Sequence, residues 1–401
     1  MVKIPNRLED LYPASAVEKI LEALQQPDLS GKVKETLGKV GLGELNPIEQ
    51  VQHAWQQAKS WLHSMTSDEV GSDTALINAT GELISPGLGP VPCSNAIAQI
   101  ILQHGTQFQD ASRHENLLTN VLENAFESNG FFAVNVASAL RTLVGSKTVY
   151  IAKTDLVRIP GLGNVASMLQ GLPTQEVGPA NGCSRDDWQM ALLEADTSES
   201  CVLVVSPNTL ASDAATAQCD ATISVAQEKG VPIFRLVANA TLHQTLADTL
   251  KFPKLDKEFV DKSSAVLAPL DLLLGAPTGA VVLGHSEFVE RANLELKSSG
   301  ASLKWPFVAA ACVALQLQDI QEEPGSGPLN ALLANSENLR DRAERIAIQL
   351  NENGVVRSAQ SIERISQLGP APWNHYELKN WAVELQFDEP LKQIEEKLAA
   401  G

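Results

Sequence analysis

Between Leu76 and Glu295, short apolar runs rich in β-branched residues alternate with amphipathic stretches, and no other feature of the chain restricts its fold as much. The runs are Gly130–Val134, Thr148–Ala152, Cys201–Ser206, Val231–Val237, Ala265–Ala268 and Ala280–Leu283. Asn116–Phe126, Ala137–Val144 and Ala214–Glu228 carry apolar residues at helical spacing between them. A strand that is apolar along its whole length must be covered on both faces. Intervening helices supply that cover, so the pattern predicts an α/β fold with a largely parallel sheet and helices on both faces. In such sheets a ligand site lies beyond the carboxyl ends of the strands.

The flanking segments read differently. Residues 1–75 are predicted to be a helical N-terminal region, with helices at Ala16–Gln25 and Pro47–Met65 and a polar boundary at Ser67–Asp73. Residues 76–295 form the large α/β domain. Residues 296–401 are predicted to be a small C-terminal α+β domain, with helices at Lys304–Leu317, Ser336–Asn351 and Glu389–Leu398. Short strands are expected at Gly354–Ser358 and Ala382–Phe387, and Glu322–Pro328 breaks the chain between the first two helices.

With 401 residues, 44% of them hydrophobic, the chain can bury a large core. Its net charge of −18 argues against a nucleic-acid surface, because phosphate binding is driven by basic residues. The five cysteines are far apart and contain no Cys-x-x-Cys pair, which points to reduced thiols rather than a disulfide frame or a zinc site. The start has no apolar signal core, and no stretch approaches membrane-spanning length, so the expected location is the cytoplasm.

Two stretches carry a resemblance. Leu267–Gly284 reads as strand, tight reversal and strand around Gly275-Ala276-Pro277-Thr278-Gly279. Asn78-Ala79-Thr80-Gly81 is followed, after six residues, by Leu88-Gly89 and Pro92. Together they resemble bacterial selenocysteine synthase, the L-seryl-tRNA(Sec) selenium transferase family, whose members are pyridoxal-phosphate (PLP) enzymes of fold type I. Ser112-Arg113, Asn135, Glu377-Leu378 and Trp381-Ala382-Val383 are similar in order, so the resemblance runs from about residue 76 to the C-terminus. It implies the PLP-dependent transferase fold type I.

The same resemblance assigns positions to the chemistry, and several hold the wrong residue. The family's cofactor lysine falls on Leu272 and the aspartate before it on Asp271. PLP is held as an imine by a lysine amine, and its ring nitrogen needs a carboxylate to stay protonated. Leu272 has no amine, and Arg235 stands where the family's ring-binding aspartate is placed, a reversal of charge. Arg235 and Leu272 are expected to flank one cleft. Two family arginines are replaced by Pro90 and Asp110, and an Asn-Arg pair by Asn181-Gly182. Arg113, Asn135, Ser138 and Asp271 are what remains of the pocket; for Asn135 and Ser138, ordinary N-capping competes with a phosphate cradle. Lys262 lies ten residues upstream of Leu272 and reads as a surface lysine. His243 and His285 are expected near strand ends, without an acid partner by spacing.

Three functional readings follow. In the first, the chain is a cofactor-free relative of selenocysteine synthase kept for binding or assembly, with no catalytic residues and no metal. It would pair with itself, as a dimer or ring of dimers, or with an active paralogue. In the second, an alignment shift hides the lysine, and the chain is a PLP-dependent seryl-tRNA selenium transferase or a related transferase or lyase. In the third, the old pocket with Arg235 binds an anionic metabolite without PLP. Residues 1–75, which by resemblance would grip transfer RNA, carry seven Lys/Arg against eleven Asp/Glu. Nucleic acid and membrane are therefore not expected as partners.

Overall fold

A computed structural model of the chain describes residues 83–84, 93–105, 111–319, 332–352 and 356–387. The chain divides into two compact units, Met1–Ile77 and Asn78–Gly401. The helices expected at Ala16–Gln25, Pro47–Met65 and Glu389–Leu398 lie outside the described residues. The second unit includes both the α/β body and the portion that the sequence sets apart from residue 296 onward.

The body is a seven-stranded sheet of β1 (Asn129–Ala133), β2 (Thr148–Ala152), β5 (Thr174–Val177), β6 (Ser200–Ser206), β7 (Ile233–Val237), β8 (Ala265–Pro269) and β9 (Ala280–Gly284). A two-residue hairpin, β3 (Arg158–Ile159) and β4 (Gly163–Asn164), stands apart from it. The order across the sheet is β1-β9-β8-β7-β6-β2-β5. Strands β5, β2, β6, β7 and β8 run parallel, and β9 is antiparallel to both β8 and β1. The interior strands are buried on both sides, as unbroken apolar runs require; β7 and β8 are buried at every position. Leu267–Gly284 forms β8, a reversal and β9, as the sequence predicts.

Among the described residues, the helices of five or more residues are α1 (Asn95–Gly105), α2 (Ala111–Phe126), α3 (Val136–Val144), α4 (Arg185–Ala191), α5 (Ser212–Lys229), α6 (Gln244–Leu250), α7 (Lys257–Asp261), α8 (Ser286–Ser299), α9 (Phe307–Asp319) and α10 (Ser336–Glu352). On one face of the sheet, Leu140 and Leu143 of α3 and Val289 and Leu296 of α8 pack against Ile151, Leu203, Phe234, Leu236 and Leu267. On the other face, Trp188 of α4 and Val225 of α5 cover Tyr150, Val202 and Val204. Leu122 of α2 and Ala310 and Ala314 of α9 cover Phe132, Val266 and Val281. Local signals agree with this packing: α4 starts with a capping box in which Ser184 and Asp187 satisfy each other's backbone N–H.

Beyond the sheet, α10 packs on an antiparallel pair, β10 (Ser358–Gln367) and β11 (Glu377–Gln386). Asn351 ties helix to hairpin, donating to the Ala359 carbonyl at 2.8 Å and accepting from the Ala359 N–H at 2.7 Å. β10 begins at Ser358, where the strand expected at Gly354–Ser358 ends, and β11 starts five residues before the expected Ala382–Phe387 segment. Glu363 and Arg364 interrupt β10, and a pair with one open face needs no continuous apolar run.

Candidate functional site

Strand pairing gathers most of the residues singled out from the sequence at one corner of the sheet. Ala133 at the end of β1 and Pro269 at the end of β8 both pair with Ala280. The chain leaving each strand therefore emerges beside the other, which brings Asn135 and Ser138 to the same edge as Asp271 and Leu272. The approach is close: a Cβ on Gly279, whose φ is +107°, would stand 2.9 Å from the Ala133 carbonyl oxygen.

Leu272 is enclosed at this corner, while Asn135 is exposed and Ser138 half-buried. Asn135 Oδ1 accepts from both the Ser138 N–H and the Ser138 hydroxyl at 2.8 Å, so the two side chains cap α3. Leu272 is 1% exposed and packs in the cluster that holds Ala133, Val136 and Trp373. Opposite it, Gly161 has a φ of +82°, and a Cβ there would lie 2.5 Å from Leu272 Cδ2. Asp271 is half-buried, and burial pushes its carboxyl up to about 6. Arg113 falls within α2, its side chain outside the described residues, as are Pro90 and Asp110.

Arg235 does not join this corner. Successive side chains of a strand point to opposite faces. Phe234 and Leu236 of β7 face the cluster that contains Leu272, so Arg235 points the other way, toward α5 and α7. There its guanidinium carbon stacks 3.8 Å from the Phe259 ring centroid, and Nη2 lies 3.6 Å from Cys219 Sγ. The expectation that Arg235 and Leu272 flank one cleft is corrected by this period-two geometry.

Arg235 instead lines a cavity of about 250 Å³ near the carboxyl ends of β6 and β7. A buried polar network forms another part of its wall. The Asp155 carboxylate accepts from the Val205 N–H (2.8 Å), Asn208 Nδ2 (2.9 Å), Thr154 Oγ1 (3.1 Å) and Gln218 Nε2 (3.4 Å). Burial pushes its pKa up to about 6, while those hydrogen bonds pull it down. Asn239 accepts from the Ser206 hydroxyl at 2.9 Å and donates to the Tyr376 oxygen at 2.7 Å, and burial raises the Tyr376 phenol to about 12. Sequence reasoning missed this network. Asp155 carried one signal, a carboxylate just past the end of an apolar strand. Tyr376 is 137 residues from Asn239 and carried none.

The remaining candidates are ordinary or misplaced. Lys262 is surface-exposed and pairs with Glu258 at 2.8 Å, although it also borders the Arg235 cavity. His243 is buried, and its Nδ1 has no hydrogen-bond partner among the described residues. His285 follows the antiparallel strand β9, so it is exposed at the opposite edge of the sheet. Asn181 and Gly182 lie in the loop before α4. Among the described residues no group of His, Cys, Asp or Glu is arranged to hold a metal, and no helix is long and apolar enough to cross a membrane.

At the Leu272 corner the residues present do not fit PLP. The cofactor needs an amine for its imine and an acid for its ring nitrogen. Leu272 offers a walled-in isobutyl group, and Phe234 and Leu236, the side chains of β7 on that face, offer no carboxylate.

Comparison with known proteins locates the chain. A family model described as L-seryl-tRNA selenium transferase matches residues 76–400. An L-seryl-tRNA(Sec) selenium transferase of Geobacter sulfurreducens is 26% identical over 350 residues, covering 80% of this chain and 74% of that protein. Among solved structures, D-glucosaminate-6-phosphate ammonia-lyase superposes with a TM-score of 0.57 at 12% identity, over 80% of this chain and 85% of the other. SPT with a PLP internal aldimine gives a TM-score of 0.45 at 12% identity, over 88% of this chain and 97% of the other. The fold is that of the PLP-dependent enzymes of fold type I.

Proposed function

The chain belongs to the L-seryl-tRNA selenium transferase family, and we propose that it has left the family's PLP chemistry and serves a binding or assembly role. One observation carries this reading. The position that resemblance gives to the cofactor lysine is Leu272, and its side chain is built into the core opposite a glycine that leaves room for it. Leu272 is closed in by its neighbours, and a Cβ on Gly161 would meet its Cδ2. Asn135 and Ser138 support the same view, because their polar atoms are spent on capping α3.

In this reading the protein works as a subunit without metal or PLP, as a dimer or ring of dimers or paired with an active paralogue, in the cytoplasm. Family membership keeps a second reading in play, a working PLP-dependent selenium transferase. The two differ over transfer RNA. A transferase must grip a polyanion, yet residues 1–75 carry seven Lys/Arg against eleven Asp/Glu, with Lys32, Lys34 and Lys39 as a small local cluster. Titration with seryl-transfer RNA at two salt concentrations is expected to show no salt-sensitive binding and no selenium transfer. Micromolar affinity that weakens steeply with salt, and falls when Lys32, Lys34 and Lys39 are changed to Ala, would restore the transferase reading.

A further inference from the structure

The Arg235 guanidinium is a buried positive charge that forms no ion pair among the described residues. Arg235 is 7% exposed, and β7 is paired on both sides, by β6 through Val204 and by β8 through Val266. Its contacts are the Phe259 ring and the Cys219 sulfur. Asp220 acts on it only at longer range. Stacking on a ring occupies one face of the planar guanidinium, and of its N–H edge only Nη2 has a recorded partner, the weakly accepting Cys219 sulfur. Holding such a group without a carboxylate costs stability, and burial accordingly lowers its pKa.

We propose that the cavity between β7, α5 and α7 binds the carboxylate of a small organic acid through the N–H edge of Arg235. A carboxylate matches the guanidinium fork in shape and brings only one negative charge. A phosphate dianion fits less well, because Asp155 and Asp220 also line the cavity and would repel the second charge. The volume of about 250 Å³ is larger than a carboxylate alone requires, so an organic body fits with it, against Phe252 and Ile223. It lies below the range of about 300–1,000 Å³ usual for drug-sized ligands. Lys251 and Lys262 border the same cavity and favour entry of an anion. Arg235 lies on the opposite face of β7 from Leu272, and the inference goes beyond the loss of PLP chemistry and is tested separately from it.

The test is calorimetric titration of the full chain with sodium propionate and sodium benzoate, with sodium chloride and inorganic phosphate at matched ionic strength as the other arms. Saturable binding of a carboxylate is expected, at least tenfold tighter than phosphate, and reduced at least tenfold in Arg235→Met. Because Met replaces a buried charge with an apolar chain of similar length, that variant is expected to melt no lower than the parent. Cys219→Asp provides a second route: an internal carboxylate beside Nη2 is expected to abolish binding while the protein stays folded. No saturable binding, phosphate binding as tightly as carboxylate, or undiminished affinity in either folded variant would overturn the proposal. Should Arg235→Met fail to fold, Cys219→Asp decides it in the same way.

Discussion

Asp155 is 2% exposed, and four donors converge on its carboxylate, three of them on Oδ1. Its folded-state pKa of about 6 lies above its ordinary value of 3.8, so folding favours the protonated form. The stabilising contribution is full below pH 3.8 and is lost as the pH rises through 6. Asparagine cannot titrate and would place an amide among donors, so Asp155→Asn is expected to be less stable than the parent at low pH. The gap should narrow by about 2 kcal/mol between about pH 4.5 and pH 7, at 1.36 kcal/mol per unit of pKa difference. Urea unfolding at the two pH values checks this; a gap that widens with pH would mean that the carboxylate is favoured by folding. Little of this site was legible beforehand. Leu272 and Arg235 were read together as misfits to PLP chemistry in one cleft, but the strand period separates them. The Asp155 network depends on contacts 50 or more residues apart, which leave no local trace.

At the scale of elements, α3 opens on an N-cap at a position that the resemblance gives to the family's pocket. Asn135 opens the helix in extended conformation, with φ −161° and ψ 165°, and its side chain satisfies the Ser138 N–H. Asn135→Ala should therefore cost about 0.5–2 kcal/mol in chemical denaturation, and millimolar phosphate should leave the parent unaffected. Stabilisation of the parent by phosphate that disappears in the variant would make the helix start an anion site. Elements were legible where burial is two-sided: β2 spans the predicted residues, and β1, β6 and β8 differ by a residue at one or both ends. The edge strand β5 was missed because three of its four residues are exposed, which removes the apolar run that marks a strand. The hairpin of β3 and β4 is too short to carry a period, although its Gly161 turn is what accommodates Leu272.

At the scale of the molecule, the α/β class followed from the alternation of runs, and the antiparallel return of β9 from the Gly-Ala-Pro-Thr-Gly turn. The sheet order, with β1 returning beside β9, comes from long-range pairing that periodicity does not encode. Fold-type-I subunits, by resemblance, close their pocket face against a second copy, and a dimer or ring of dimers is expected in light scattering; a monomer at micromolar concentration would contradict the assembly role. The loss of PLP chemistry is tested most directly by incubating the full chain with PLP, reducing with borohydride and mapping modified lysines by mass spectrometry. The expected result is a colourless protein with at most scattered, substoichiometric labelling of surface lysines. A stoichiometric adduct on one lysine, blocked by no other change than altering that residue, would contradict it.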